Sequence, residues 1–322
     1  MSHPVFVDVD TGVDDALALV YLLASPDAEL VGIASTGGNV AVDQVCANNL
    51  GLLQLCGVTG VPVSRGADGP LHGPLTPGDA HGPAGLGYAE LPPATAALTS
   101  YDAATAWVQA ARDHPGRLIG VATGPLTNVA LALRAEPALP TLLRRLVIMG
   151  GAYDYRGNTT PVAEWNISVD PEAAAQVFAG WGAAPELPIL CGLELTQRIV
   201  ATPALFDRLA AASGSTNNPL LRVLQDAMRF YFEAHRDWGD GYLAYLHDPL
   251  AAAVALDPAL VATRPAAVGV ELTGTLTRGM TVTDWSGRWG QEPNAHIGVD
   301  VDPAAFFDRF VQRVGAFAAR LG

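Results

Sequence analysis

Lysine does not occur once in the 322 residues; all 18 basic side chains are arginine. No residue can therefore form a Schiff base, and none can serve as the lysine of a Walker-type phosphate loop. Basic residues of any kind are few. The 32 acidic side chains outweigh them, giving a net charge of −14. Phosphate backbones are held by clustered Lys and Arg, so neither nucleic acid nor an anionic membrane is an expected partner. Cysteine is scarce too: Cys46, Cys56 and Cys191 are scattered through apolar stretches. Three thiols without a Cys-x-x-Cys pair predict buried, reduced cysteines, not a disulfide frame or zinc site. Long apolar runs are missing. The longest, Ala16 to Ala24, is too short to span a bilayer, and no basic or apolar leader precedes the strand-like Val5-Phe6-Val7. A soluble, cytoplasmic protein is expected.

What is present is core material. Half of the residues are apolar, enough for a sizeable interior. Short β-branched runs at Val5–Val9, Leu30–Ser35, Leu118–Ala122, Leu146–Met149 and Leu187–Leu190 alternate with Ala/Leu-rich amphipathic stretches. Those stretches are Asp14–Ala24, Val42–Cys56, Ala103–Asp113, Leu126–Glu136 and Pro171–Ala179. Continuous apolar strands imply burial on both faces, and the repeated β-then-α order predicts an open, mostly parallel α/β sheet flanked by helices. From about Ala201 the pattern turns helical, then β-rich from Val268 to Asp302, and closes on the amphipathic segment Pro303–Arg320. No repeat or linker divides the chain, so residues 1–322 are expected to form one domain. The Pro/Gly-rich stretch Gly66–Pro93 predicts a long active-site loop.

Ligands of such sheets bind at the carboxyl ends of the strands. The first junction reads Asp8-Val9-Asp10-Thr11-Gly12-Val13-Asp14-Asp15. Helix capping uses one or two acids, not four in eight residues around a tight glycine turn. Converged carboxylates repel unless a cation neutralises them. Carboxylates without thiolates or paired imidazoles favour Ca²⁺ or Mg²⁺ over zinc, and several protein oxygens at irregular spacing suit Ca²⁺ better. The second strand runs into Asn39. A later one ends in Thr123-Gly124-Pro125, where the turn leaves the Thr123 carbonyl free to ligate. Beyond Met149-Gly150-Gly151 lie Asn158 and Glu164-Trp165-Asn166, donors and acceptors for sugar hydroxyls beside an apolar wall. His247-Asp248-Pro249 places an imidazole and a carboxylate ahead of another helix. Each of these later segments is unspecific alone.

Together they resemble the inosine–uridine-type nucleoside hydrolases. The opening Asp-x-Asp-x-Gly-x-Asp-Asp-Ala matches that family's signature. Thr-Gly-Pro-Leu-Thr-Asn, Glu-Trp-Asn-Ile, His-Asp-Pro-Leu-Ala, the loop His81-Gly82-Pro83-Ala84-Gly85-Leu86 and the late Thr277-Arg278-Gly279-Met280-Thr281 follow in the family's order. The resemblance implies a Rossmann-like fold and calcium-dependent cleavage of the bond between ribose and a nucleobase. It implies that Asp10, Asp15, Asp248 and the Thr123 carbonyl hold Ca²⁺, which also contacts the ribose 2′- and 3′-hydroxyls and a water. Asp10 would be the general base. Asp14, Asn39, Asn158, Glu164 and Asn166 would grip ribose, with Trp165 and Met149 as apolar contacts. His247 would protonate the departing base, with His81 as the competing donor. His81, His235 and His247 lean the site towards uridine or cytidine with inosine possible, as in pyrimidine-preferring or nonspecific members, and relatives form dimers or tetramers.

Two other readings are weighed. A haloacid-dehalogenase-like phosphatase also opens on Asp-x-Asp after a strand, but it wants a downstream basic residue, usually the lysine this chain lacks. A non-catalytic nucleoside-binding relative would have lost a ligand or the acid, and every matched position is intact.

Overall fold

The computed structural model describes residues 2–154, 156–182 and 184–321. The first half runs β1 (His3–Val9), α1 (Val13–Ala24), β2 (Ala28–Ser35), α2 (Val42–Leu55) and β3 (Val63–Arg65). After a long loop come α3 (Ala103–Asp113), β4 (Leu118–Ala122), α4 (Thr127–Ala135), the short α5 (Leu139–Leu142) and β5 (Leu143–Met149). A second loop leads to α6 (Trp165–Val169), α7 (Pro171–Trp181), β6 (Ile189–Cys191), α8 (Leu193–Thr196) and β7 (Val200–Ala201). The remainder is α9 (Ala204–Ser213), α10 (Pro219–Trp238), β8 (Ala244–Tyr245), α11 (His247–Leu256), β9 (Val261–Val270), β10 (Thr281–Asp284), β11 (Ala295–Val301) and α12 (Pro303–Leu321).

Nine strands form one sheet in the order β10-β9-β11-β6-β5-β4-β1-β2-β3. The seven from β11 to β3 are parallel, while β9 and β10 add an antiparallel extension. The expected open, mostly parallel sheet is therefore what forms. The β-rich tail is this extension, and it is antiparallel because β9, β10 and β11 are joined without a crossover helix.

Alternation along β1 sends Val5, Val7 and Val9 into one apolar layer, with α1, α2 and α9 to α12. Phe6 points into the other layer, with α3, α4 and α7. Two buried cores thus cover the two faces, as the near-continuous apolar strands require. The three cysteines are free and buried. Among the described residues no helix is long and apolar enough to cross a membrane.

The chain runs from β1 outward to β2 and β3, then returns to place β4 on the other side of β1. The order of winding reverses between β1 and β4, and at such a point the loops diverge and leave a crevice above the carboxyl ends. Asp10 and Thr123 follow those two strands. Helices α1 and α11 pack against each other in the layer above. Their first turns carry Asp14 and Asp15 on one and Asp248 on the other.

Candidate active site

A cavity of about 760 Å³ opens above the switch point. Thirteen of the fourteen residues singled out from sequence line it: Asp10, Asp14, Asn39, His81, Thr123, Met149, Asn158, Glu164, Trp165, Asn166, His235, His247 and Asp248. Asp15 lies just beneath, fully buried.

The floor is acidic. Asp14, Asp15 and Asp248 each bring a carboxylate oxygen within 4.8 Å of the others, all three buried. This tightest triad includes Asp14, which the sequence reading gives to the sugar, while Asp10 stands beside it. Asp10 Oδ2 accepts the Asn39 backbone N–H at 2.9 Å. Asp15 accepts from the Gly12 N–H at 2.8 Å and the Thr123 hydroxyl at 2.7 Å. Two glycines make the approach possible. A Cβ on Gly38 would lie 2.1 Å from Asp10 Oδ2, and one on Gly12 would lie 2.7 Å from the Asn39 side chain.

Burial pushes every one of these carboxyls above the ordinary range, and their mutual repulsion adds to it. Asp14 rises to about 7 through desolvation and the neighbouring Asp15. Asp10 goes well above its usual value from the same two causes, Asp248 from desolvation and then Asp14, and Asp15 rises chiefly from desolvation. A set of buried hard oxygens converging on one point fits a divalent cation. Two further oxygens support that reading of the floor: the Thr123 carbonyl, and Asn166, whose Nδ2 donates to Thr123 O at 2.7 Å and to Met149 O at 3.1 Å. With both amide hydrogens committed to carbonyls, what Asn166 can offer a sugar hydroxyl is its Oδ1. Asn39 is likewise turned to the carboxylates, its amide reaching Asp15 Oδ2 at 3.4 Å.

Glu164 caps α6. Its carboxylate accepts the N–H groups of Asn166 and Ile167, and reaches back to the Gly151 N–H at 2.9 Å. Desolvation nonetheless raises its pKa. Asn158 is exposed at the rim, where its Oδ1 accepts the Trp165 N–H.

The opposite wall is built from imidazoles and phenols. His81, Tyr231, His235, Tyr245 and His247 follow one another, with ring centroids 4.8 to 5.9 Å apart. His81 arrives from the long loop predicted as an active-site segment, and its Nδ1 accepts the Val13 N–H at 3.1 Å. That bond fixes the neutral tautomer with the proton on Nε2, and desolvation pushes the ring down to about 4. His247 is pushed down to about 3, chiefly by burial and then by His235; its Nδ1 meets the Thr196 hydroxyl at 2.7 Å. Asp240 sits 2.9 Å from His235 Nδ1.

Tyr231, Tyr245, Trp238, Asp240 and Gln197 also line the cavity and escaped the sequence reading. Tyr231 and His235 stand four apart on α10, one turn of a helix face. That spacing was the available signal, but aromatic residues on an amphipathic helix read first as core.

Residues 5–308 match the family described as inosine-uridine preferring nucleoside hydrolase. A pyrimidine-specific ribonucleoside hydrolase, RihA, of Citrobacter koseri is 39% identical over 99% of this chain and 100% of its own length. Among solved structures, a purine-preferring ribonucleoside hydrolase from Gardnerella vaginalis superposes with a TM-score of 0.90 at 33% identity, covering 98% of this chain and 99% of its own. A plant nucleoside hydrolase does so at 0.91 and 30% identity, over 98% and 100%. With a full-length match in sequence and fold, and with the acidic floor in place at the switch point, the chain belongs to the inosine-uridine preferring nucleoside hydrolase family and is an enzyme that hydrolyses ribonucleosides.

Proposed function

We propose that the protein is a calcium-dependent N-ribohydrolase that prefers pyrimidine ribonucleosides and releases ribose and the free base. The observation that carries the reading is the buried carboxylate floor beneath a cavity walled by imidazoles. Asp10, Asp15, Asp248 and the Thr123 carbonyl would hold the ion, with Asp14 close enough to serve either the ion or a ribose hydroxyl. When bound, Ca²⁺ supplies neutralising charge and acidifies water in its vicinity.

The chain's own groups divide the remaining work. Asp10 takes the proton of the attacking water. The Asn39 N–H holds one of its oxygens and leaves the other as the base. Glycosidic cleavage builds positive charge on the sugar, which the surrounding carboxylates favour. Glu164, Asn158 and Asn166 hold the ribose hydroxyls against that floor, with Trp165 and Met149 as apolar contacts. His247 protonates the departing base. The neutral ring, with Nδ1 on the Thr196 hydroxyl, lends its proton to the base as negative charge grows there. His81 is the weaker candidate, since protonating Nδ1 would break its bond from Val13. The pyrimidine preference rests on the imidazole-and-phenol wall and on the full-length likeness to the Citrobacter koseri enzyme.

The test is release of reducing sugar from uridine, cytidine, inosine and adenosine, before and after chelation. Sugar release highest on uridine or cytidine, lost on chelation and restored by added calcium, is the expected result. Activity untouched by exhaustive chelation would overturn the metal assignment. Highest activity on inosine or adenosine would overturn the base preference.

A further inference from the structure

Asp8 is the one acid of the opening motif that plays no part in the floor. It lies inside β1, on the face of Phe6, and its side chain is buried in the layer of α3 and α4. It accepts from the Thr36 hydroxyl, from Trp107 Nε1 at 2.7 Å and from Asn128 Nδ2 at 3.1 Å. Its own backbone carbonyl accepts the Thr123 N–H at 2.8 Å. Asn128 Nδ2 also reaches Thr36 Oγ1 at 2.7 Å and the Ser35 carbonyl at 3.3 Å.

Each partner but one leads back to the site. Thr36 follows β2 by one residue and is bonded through its N–H to the Val9 carbonyl; three residues on, the Asn39 N–H holds Asp10. Asn128 opens α4 on the turn that presents the Thr123 carbonyl. Asp8 itself is two residues from Asp10. Only Trp107, on α3, carries no connection to a strand end. All three side-chain partners donate, and the indole can do nothing else, so the position calls for an acceptor-only group. A carboxylate meets that demand. An amide would turn a donor towards a donor.

We propose that Asp8, through Thr36 and Asn128, is a positioning residue that sets the relative placement of Asp10, Asn39 and Thr123, the three strand-end groups of the reaction site. It touches neither substrate nor ion, and the inference rests on the metal assignment above. Outer partners that orient ligands typically contribute 10- to 100-fold to metal affinity or activity.

The experiment compares Asp8→Asn, Thr36→Val and Trp107→Phe with the unaltered chain. It measures calorimetric Ca²⁺ affinity of the metal-stripped protein, kcat and KM on uridine, and Tm. Thr36→Val keeps shape and removes the hydroxyl, so it carries the test if Asp8→Asn does not fold. Thr36→Val should weaken calcium affinity about tenfold and lower kcat at least as much, as expected of an orienting partner, whereas Asp8→Asn, whose amide oxygen can keep Thr36 and Asn128 while its NH2 faces the indole, should resemble Trp107→Phe. Trp107→Phe should lower Tm but leave affinity and kcat within about twofold, because its bond orients no site residue. Wild-type affinity and kcat in a folded Thr36→Val would overturn the proposal. So would losses in all three variants that simply track the fall in Tm, which is the mark of a structural role. If the unaltered chain binds no calcium, the metal reading fails and the same contrast in kcat decides the positioning claim.

Discussion

Removing calcium should make this protein's stability depend on pH in the direction opposite to that of most proteins. Asp14 carries a carboxyl raised from the ordinary 3.8 to about 7. Between those two values the folded chain binds a proton that the unfolded chain has already released. Stability of the ion-free protein therefore falls as pH rises through that interval. Once Asp14 is fully ionised, at about pH 8, its handicap is ~4 kcal/mol, and at about pH 5 it is ~2 kcal/mol. Asp10 and Asp248, also raised, act in the same direction. His81 and His247 work the other way. Their folded values lie near 4 and 3, so they erode stability as pH falls below the unfolded value of about 6.5. Above that pH only the carboxylates remain in play. A bound cation replaces the protons and cancels the handicap.

Thermal melts of chelated and calcium-saturated protein, run from about pH 5 to 8, read the effect directly, because the histidine contribution is common to both and cancels in their difference. At roughly 2 °C per kcal/mol for a chain of this size, Asp14 alone corresponds to a Tm gap near 8 °C at the alkaline end. The gap should narrow towards the acid end as protons take the ion's place. Parallel melting curves with a pH-independent gap, or no gap at all, would refute the argument that repulsion within the floor is what the cation relieves.

Replacing Asp10 by Asn keeps the size and one oxygen but removes the proton acceptor, so kcat on uridine should fall by about 10²-fold or more; a rate within tenfold of wild type would rule Asp10 out as the base. His247→Ala should cut kcat on uridine severely while sparing a p-nitrophenyl riboside, whose leaving group departs without protonation, and equal losses on both would show that His247 positions the substrate and does not protonate it. Asp170, buried at the start of α7, accepts the Ala173 N–H, the Thr127 hydroxyl and the Leu71 N–H. Asp170→Ala strands these donors and should cost roughly 3 kcal/mol in urea unfolding, and a loss below 1 kcal/mol would show that water satisfies them.

Much of the site could be read because its chemistry sits at strand ends, where polar residues interrupt apolar runs. Asp10, Asn39 and Thr123 stand out for that reason. Asp8 is the instructive exception. Sequence crowding places it with the other three acids of the opening segment, yet it still lies within β1, beside Phe6 in the α3 and α4 layer, while Asp10 lies past the strand's end. Nearness in sequence and convergence in space are different properties. Tyr231 and Tyr245 were hidden by a different cause, since an aromatic ring lining a cavity has the same signature as one in a core. The short strands β3, β7 and β8, at two or three residues each, and the single-turn helices α5, α6 and α8 offer too little periodicity to detect. Glu164-Trp165-Asn166 was legible as polar chemistry but not as a helix start, although Glu164 is a cap by geometry.

The packing of α1 against α11 has a bearing on how the molecule comes together. These helices deliver acids that are neighbours in space but lie more than two hundred residues apart in the chain, at Asp14 and Asp15 on one side and Asp248 on the other. No part of the cluster exists until the central strands have paired and both helices have docked, and contacts of such long sequence separation form slowly. An ion that needs the docked cluster should bind only once both helices are in place. On the calcium assignment proposed above, its effect should fall on the reverse step, slowing unfolding more than it speeds folding.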